Sequence, residues 1–196
     1  MAELPGRLRE AVCRAEGRSP EPSAAVVGSQ SVEAEATVTH VSRGFDAGKK
    51  TNGRKRHLLT DTLGLLLAAL VTPVSTTDRD AARVLLPATK KHFRGWRRSG
   101  RTAVTPATSP TWTVQHLRVV LDIVRRSDDV QGFQVLPRRW VVERSFVRLL
   151  RSRRLVGDYE RRADTSESVI LWSMTMLMSR RLAVQRRQSP APARTA

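Results

Sequence analysis

Glu143 lies in "RRWVVERSF", four residues after Arg139, so on a helix the two side chains stack one turn apart. A carboxylate so placed can ligate a hard divalent cation or close a surface ion pair with Arg139 or Arg144; taken alone, the spacing favours the ion pair. Three other acids invite the same question. Asp61 falls in a hairpin, and Asp78 and Asp80 open a helix, where a turn acid and helix caps account for them without a metal. Gly44, Gly48, Lys49, Lys50 and Thr51 approach a phosphate-loop pattern but are one residue short between the glycines, which excludes a nucleotide loop. Met174, Met176 and Met178 suit an irregular core better than a metal groove.

The elements that must position these residues follow from periodicity. Residues 3–16 have helical spacing (Leu4, Leu8, Val12), and a turn-rich connector leads to a short buried strand over Ala24–Val32. Residues 33–53 are polar and read as a surface excursion. The runs 57–62 and 65–72, joined at Leu63-Gly64, predict a hairpin whose second strand is buried on both faces. Thr77-Asp78 caps a helix that Pro87 ends or kinks, and 117–126 is strand-like. Past Pro137, Trp140, Val141, Phe146, Leu149 and Leu150 give a helix with one apolar and one basic face. A capping box at Thr165–Ser168 opens an apolar helix, and the end of the chain is expected to be an unstructured tail.

Composition bounds the partners. The 196 residues carry a formal net charge of +17, with 40% hydrophobic and 5% aromatic residues, which predicts one modestly stabilised domain attracted to polyanions. A solvated arginine-rich surface is the plainer alternative. Cys13 is the lone cysteine, so no internal disulfide or cysteine metal cluster forms, and a reducing compartment fits. No signal peptide or membrane span is legible at either end, so a cytoplasmic, nucleoid-associated protein with no membrane partner is expected.

The collinear strings "SAAVVGSQSV", "RGFDAGKKTNGRKRHLLTDTLGLLLAALVTP", "TDRDAARVLL", "VRRSDDVQGFQVLPRRWVVERSF" and "RSRRLVGDYERR" with "TSESVILWSMTMLMSRRLA" resemble bacterial insertion-sequence DDE transposases of the IS-four and IS-five type. The resemblance spans about Pro20 to Ala183 and implies an α/β fold: an RNase H-like mixed sheet flanked by helices. It implies residues 1–23 as an N-terminal helix and linker, 24–183 as the transposase domain and 184–196 as a disordered tail, with the usual longer N-terminal DNA-recognition region shortened. It also implies Mg²⁺ held by three acids, DNA ends as substrate and an intact transposase as a second partner. Two metals activate the attacking oxygen and stabilise the leaving one, and hard cations take carboxylate oxygen.

Only the third acid, Glu143, matches, as catalytic residue and metal ligand. Gly28 stands where the strand "VIDSQSV" of the family carries the first aspartate, one base away from it (GAC against GGC). The second belongs in a strand like "VWADGGYTG", in the window "RGWRRSGRTAVTPATSPTW" (94–112), which contains no aspartate. Back-translated with permitted codons and read two bases later, Ser99–Pro110 yields Trp-Ala-Asp-Gly-Gly-Tyr-Thr-Gly-His-Leu-Ala. Residues 95–111 are therefore expected to be an out-of-frame passage, with the lost aspartate codon straddling Arg101 and Thr102 and the strand disrupted. The resemblance then implies a degenerate transposase without catalysis. Its alternatives are a basic DNA-binding remnant that inhibits an intact relative, and a non-functional pseudogene product. DNA phosphates would be gripped by Lys49, Lys50, Arg54, Lys55, Arg56 and His57, and by Arg138, Arg139, Arg151, Arg153 and Arg154 along the helix of Glu143.

Overall fold

A computed structural model describes residues 3–94, 96, 98–102, 110–124 and 139–188. The elements run α1 (Glu3–Ala15), β1 (Ala24–Glu33), β2 (Gly44–Asp46), β3 (Thr51–Asp61), β4 (Leu66–Pro73), α2 (Asp78–His92), β5 (Arg98–Thr102), α3 (Pro110–Leu117), β6 (Val120–Val124), α4 (Arg139–Leu149) and α5 (Ala163–Gln188).

The alternation of β1 decides the architecture. Ala25 and Val27 face one way and meet Leu85 and Leu86 of α2 with Trp96 and Val119; Val26 faces the other and meets Val142, Phe146 and Leu149 of α4 with Ile170 and Met174 of α5. β1 is the interior strand. It pairs antiparallel with β3, from Ala25 against Asp61 to Glu33 against Gly53, and parallel with β5, from Ala24 against Arg98 to Val27 against Arg101. β4 lies antiparallel on the far side of β3, and β6 parallel beside β5. The sheet has six strands: the short β2 and β4 both lie antiparallel on β3, and the order β4-β3-β1-β5-β6, three antiparallel strands followed by two parallel ones, makes it an RNase H-like mixed sheet with helices on both faces. α1 packs on α5 and the β3–β4 turn through Val12, Cys13, Leu65 and Met178.

Several expectations are corrected. The strand expected to be disrupted is present over Arg98–Thr102 and bonded on both sides, because a ladder uses backbone groups and these five residues include no proline. Residues 103–109 of the expected out-of-frame passage lie outside the described residues. β4 is an edge strand with only Leu66 and Val71 buried, whereas β3 is the enclosed one, so burial on both faces was assigned to the wrong partner of the hairpin. The polar excursion supplies β2 and the start of β3. Pro87 sits inside α2 without ending it, and Thr77 caps the helix by accepting from the Asp80 amide at 3.2 Å.

The expected strand over 117–126 is shorter, because Pro110–Leu117 coils into α3 first. Trp140 and Leu150 lie outside the apolar stripe of α4, which is Val141, Val142, Phe146 and Leu149. α5 begins at Ala163, before the expected box, and stays helical to Gln188, so 184–188 are not tail; 189–196 are outside the described residues. Of the methionines, Met174 and Met178 are core and Met176 is exposed. Among the described residues, no helix is long and apolar enough to cross a membrane.

A second set of ties comes from inside the sheet. Arg54 is fully buried on β3 and its guanidinium is saturated: Nη1 donates to Asp158 Oδ2 at 3.2 Å and to the Glu160 carbonyl at 2.8 Å, Nη2 to the Arg161 carbonyl at 2.9 Å, and Nε to the Ser42 carbonyl at 3.1 Å. Arg56, two residues along the same face, donates to the carbonyls of Leu155 and Gly157 at 2.6 and 2.7 Å. Together they clamp the segment between α4 and α5 to the sheet. Asp158→Ala would strand the Arg54 charge, so urea titration is expected to show a loss of about 3–5 kcal/mol, and a smaller loss for the Arg54→Met/Asp158→Leu pair.

Candidate active site

The three positions that the resemblance assigns to acids lie on β1, on the neighbouring β5 and on α4, which packs on β1. Gly28 is one residue beyond Val27, which pairs with Arg101, so the point between Arg101 and Thr102 falls alongside Gly28 on the neighbouring parallel strand. Gly28 shares the face of Val26, toward α4. A Cβ at residue 28 would stand 2.8 and 2.9 Å from the two γ carbons of Val142 and 3.4 Å from Phe146 Cε2. Glu143, the residue after Val142, is exposed on that helix. α4 thus meets β1 at Gly28, with β5 the next strand; one of the three positions bears a carboxylate, and the first is closed over by hydrocarbon.

The donor set does not fit a pair of hard cations. One glutamate supplies too few oxygens, and Val142 occupies the volume that an acid at residue 28 would need. Among the described residues, no group of three or more His, Cys, Asp or Glu side chains is close enough to hold a metal ion. The other three candidate acids, Asp61, Asp78 and Asp80, are engaged elsewhere. Asp61 Oδ1 accepts the amides of Leu63 and Leu65, each at 2.9 Å, which makes it the turn acid expected; burial pushes its carboxyl up. Asp80 accepts from the Thr77 hydroxyl at 2.7 Å. Asp78 does more than open α2: Oδ2 accepts from Ser29 Oγ at 2.9 Å, and Oδ1 lies 3.5 Å from Lys55 Nζ and 3.7 Å from His57 Nδ1. Ser29 points to the sheet face opposite Gly28, so this network is separated from α4 by the sheet. Neither it nor Asp158 was singled out from the sequence; the alternation of "GSQS" against "RKRH" is the signal that pairs Ser29 with His57.

The basic residues divide. Lys49 and Lys50 are exposed in the β2–β3 turn, Lys49 donating to Ser31 Oγ at 3.0 Å. Arg54, Arg56 and His57 are buried, which corrects their assignment to phosphate contact: the terminal guanidinium nitrogens of both arginines serve carbonyls and a carboxylate, and His57 Nε2 shares a hydrogen bond with the Thr72 hydroxyl. Lys55 is mostly covered and donates to the Thr76 carbonyl at 2.8 Å. Arg138 and the side chain of Arg139 lie outside the described residues. Arg151, Arg153 and Arg154 are exposed but follow α4 instead of lining it, and Arg154 pairs with Glu160 at 2.6 Å.

Two family models, each described as a Transposase DDE domain, match this chain, one over residues 19–105 and the other over 95–180. The chain belongs to the DDE transposase family. The two matches change over at 95–105, within the stretch that carries no apolar pattern. Among solved structures, the Mos1 mariner paired end complex with Mn is 8% identical with a TM-score of 0.39, over 98% of this chain and 63% of that one. The Mos1 strand transfer complex is 12% identical with a TM-score of 0.32, over 93% and 61%. The chain therefore spans less than two thirds of either. No curated protein matches it.

His57 gives this DDE domain a pH signature. Burial lowers its pKa to about 4 from 6.5, with the Asp78 carboxylate pulling upward and Lys55 downward. A depressed histidine leaves stability intact above pH 6.5 and removes it as pH falls toward 4, because the unfolded chain binds the proton first. The span corresponds to about 3 kcal/mol. His57→Gln is expected to flatten that part of the stability curve, measured as the wild-type-minus-variant difference in urea midpoints between pH 7 and pH 4, so that the other acids cancel.

Proposed function

We propose that this DDE transposase domain is a degenerate copy from a bacterial insertion sequence that binds DNA and neither cuts nor joins it. What supports this is that position 28, packed under α4, positions 101–102 on the adjacent strand and position 143 on α4 carry a single carboxylate among them, that of Glu143. Phosphodiester cleavage by two metals needs oxygen ligands that glycine, arginine and threonine do not supply. Mg²⁺ is therefore the cofactor of the lineage and not of this chain. The handover of the two family models within 95–105 is consistent with an altered frame there, and the nucleotide sequence across codons 94–112 tests it directly.

Net charge of +17 carries the DNA side of the proposal. With Arg54 and Arg56 consumed internally, Lys49, Lys50, Arg151 and Arg153 remain at the surface as candidates for phosphate contacts, which fix no base sequence. A nucleoid location follows from such binding. The ordered ladder through β5 favours a folded DNA-binding remnant, able to occupy ends or mix with an intact transposase, over a pseudogene product that cannot fold.

The full chain incubated with Mg²⁺ or Mn²⁺ and duplexes bearing the element's ends is expected to retard them in a gel and to leave every strand uncut and unjoined. Metal-dependent nicking would sink the proposal. Glu143→Gln, which removes an exposed negative charge and no chemistry, is expected to raise duplex affinity by less than about ten-fold in fluorescence anisotropy.

A further inference from the structure

α5 is 26 residues long and turns a row of exposed residues to solvent: Asp164, Ser168, Trp172, Met176 and Arg180 succeed one another at intervals of four. Trp172 is 66% exposed and Met176 43%, and Leu4 on the neighbouring α1 is 56% exposed. Beside the row runs a groove of about 430 Å³ lined by Leu4, Pro5 and Arg7 of α1 and by Leu171, Trp172 and Thr175 of α5. Single exposed apolar side chains are ordinary, but an uncovered tryptophan on the wall of an apolar groove is a surface shaped for a partner.

The row itself says which partner. It is centred on Trp172, with an acid eight residues before it and a base eight residues after it. A second copy of this chain, running antiparallel about a two-fold axis beside Trp172, sets Asp164 against Arg180 of the second copy, Ser168 against its Met176, and Trp172 against its own equivalent. Rows spaced i, i+4 are the ridges that lie along one another when two helices cross at about −50°, the commonest class of helix packing. The two indoles then stack within the grooves, which have room for them, and opposite charges meet at both rims. Asp164 pairs with Arg162 at 2.6 Å on the surface, and an exposed carboxylate keeps lone pairs for a second guanidinium. A net charge of +17 opposes self-association, so a row holding one charge of each sign is where two copies meet with little repulsion.

We infer that this face of α5 is a homodimer interface, in which Trp172 of each copy enters the α1–α5 groove of the other. The inference stands apart from the proposed function: it uses none of the residues considered for metal or for phosphate.

Sedimentation velocity of the full chain, freed of nucleic acid and at an ionic strength that screens its net charge, is expected to show a monomer–dimer equilibrium in the micromolar range. A chain that stays monomeric at about 100 μM overturns the inference. Trp172→Ala removes an exposed side chain, so its urea midpoint should stay unchanged while the dimer weakens at least about ten-fold. Met176→Lys, placed against Ser168 of the second copy, should weaken it similarly with the indole intact. Asp164→Lys and Arg180→Glu are each expected to weaken the dimer about five-fold, and the two together to return it to within about two-fold of the unaltered chain. Positions 164 and 180 lie about 24 Å apart along one helix, so such rescue passes between copies and not within one. A dimer that persists in both Trp172→Ala and Met176→Lys, or charge reversals whose effects add instead of cancelling, overturns this interface.

Discussion

The direct contact of α4 with the central strand at Gly28 governs the rest of the molecule. With no side chain at that position, the γ carbons of Val142 come within 3 Å of where a Cβ would be, and Phe146 closes the other side. β1 is hydrogen-bonded along both edges, so it cannot yield, and valine, branched at Cβ, has little rotameric freedom on a helix. The same contact fixes the height of Glu143 above the sheet. The missing side chain at residue 28 and the seating of the helix that carries Glu143 are therefore one structural fact, and a side chain at residue 28 would require Val142 or α4 to shift.

Charge in this chain is sorted by strand alternation. Arg54 and Arg56 turn toward the α4–α5 side, where backbone carbonyls and Asp158 absorb them, while Lys55 and His57 turn toward α2 and meet Asp78. A run such as "RKRH" looks like a phosphate grip in one dimension. Its location in an enclosed strand makes it a set of internal clamps, and what decides between the two is the pairing of β3 on both edges. That pairing is not in the run itself, which is why the assignment of Arg54, Arg56 and His57 to DNA failed while β1, the β3–β4 turn at Asp61 and the Thr77 cap were legible from local chemistry.

The weakest sequence expectation concerned the stretch around Arg94–Trp112, where missing periodicity was equated with a missing strand. Periodicity reports which side chains are buried, and a strand held between two others needs something more modest: five consecutive amides and carbonyls in register, with no proline among them. Arg98–Thr102 meets that requirement against both β1 and β6. α3 and the passage of α2 through Pro87 follow the same logic, since tertiary packing overrides a single missing amide or a weak local pattern.

Fold and chemistry here depend on different parts of the chain, and that difference sets the order in which they are lost. A ladder is built from groups that every residue but proline carries, so a changed reading frame can leave it standing. Electrostatic attraction to DNA depends on the sum of many interchangeable charges and declines gradually as single ones are lost. A two-metal centre depends on three particular carboxylates at three particular places, and the first substitution among them removes it. A transposase domain under no selection for cleavage should accordingly lose its ligands first, its affinity later and its sheet last. On the proposal of a degenerate copy, Gly28 in the central strand of a paired sheet and a net charge of +17 put this chain at the first of those stages.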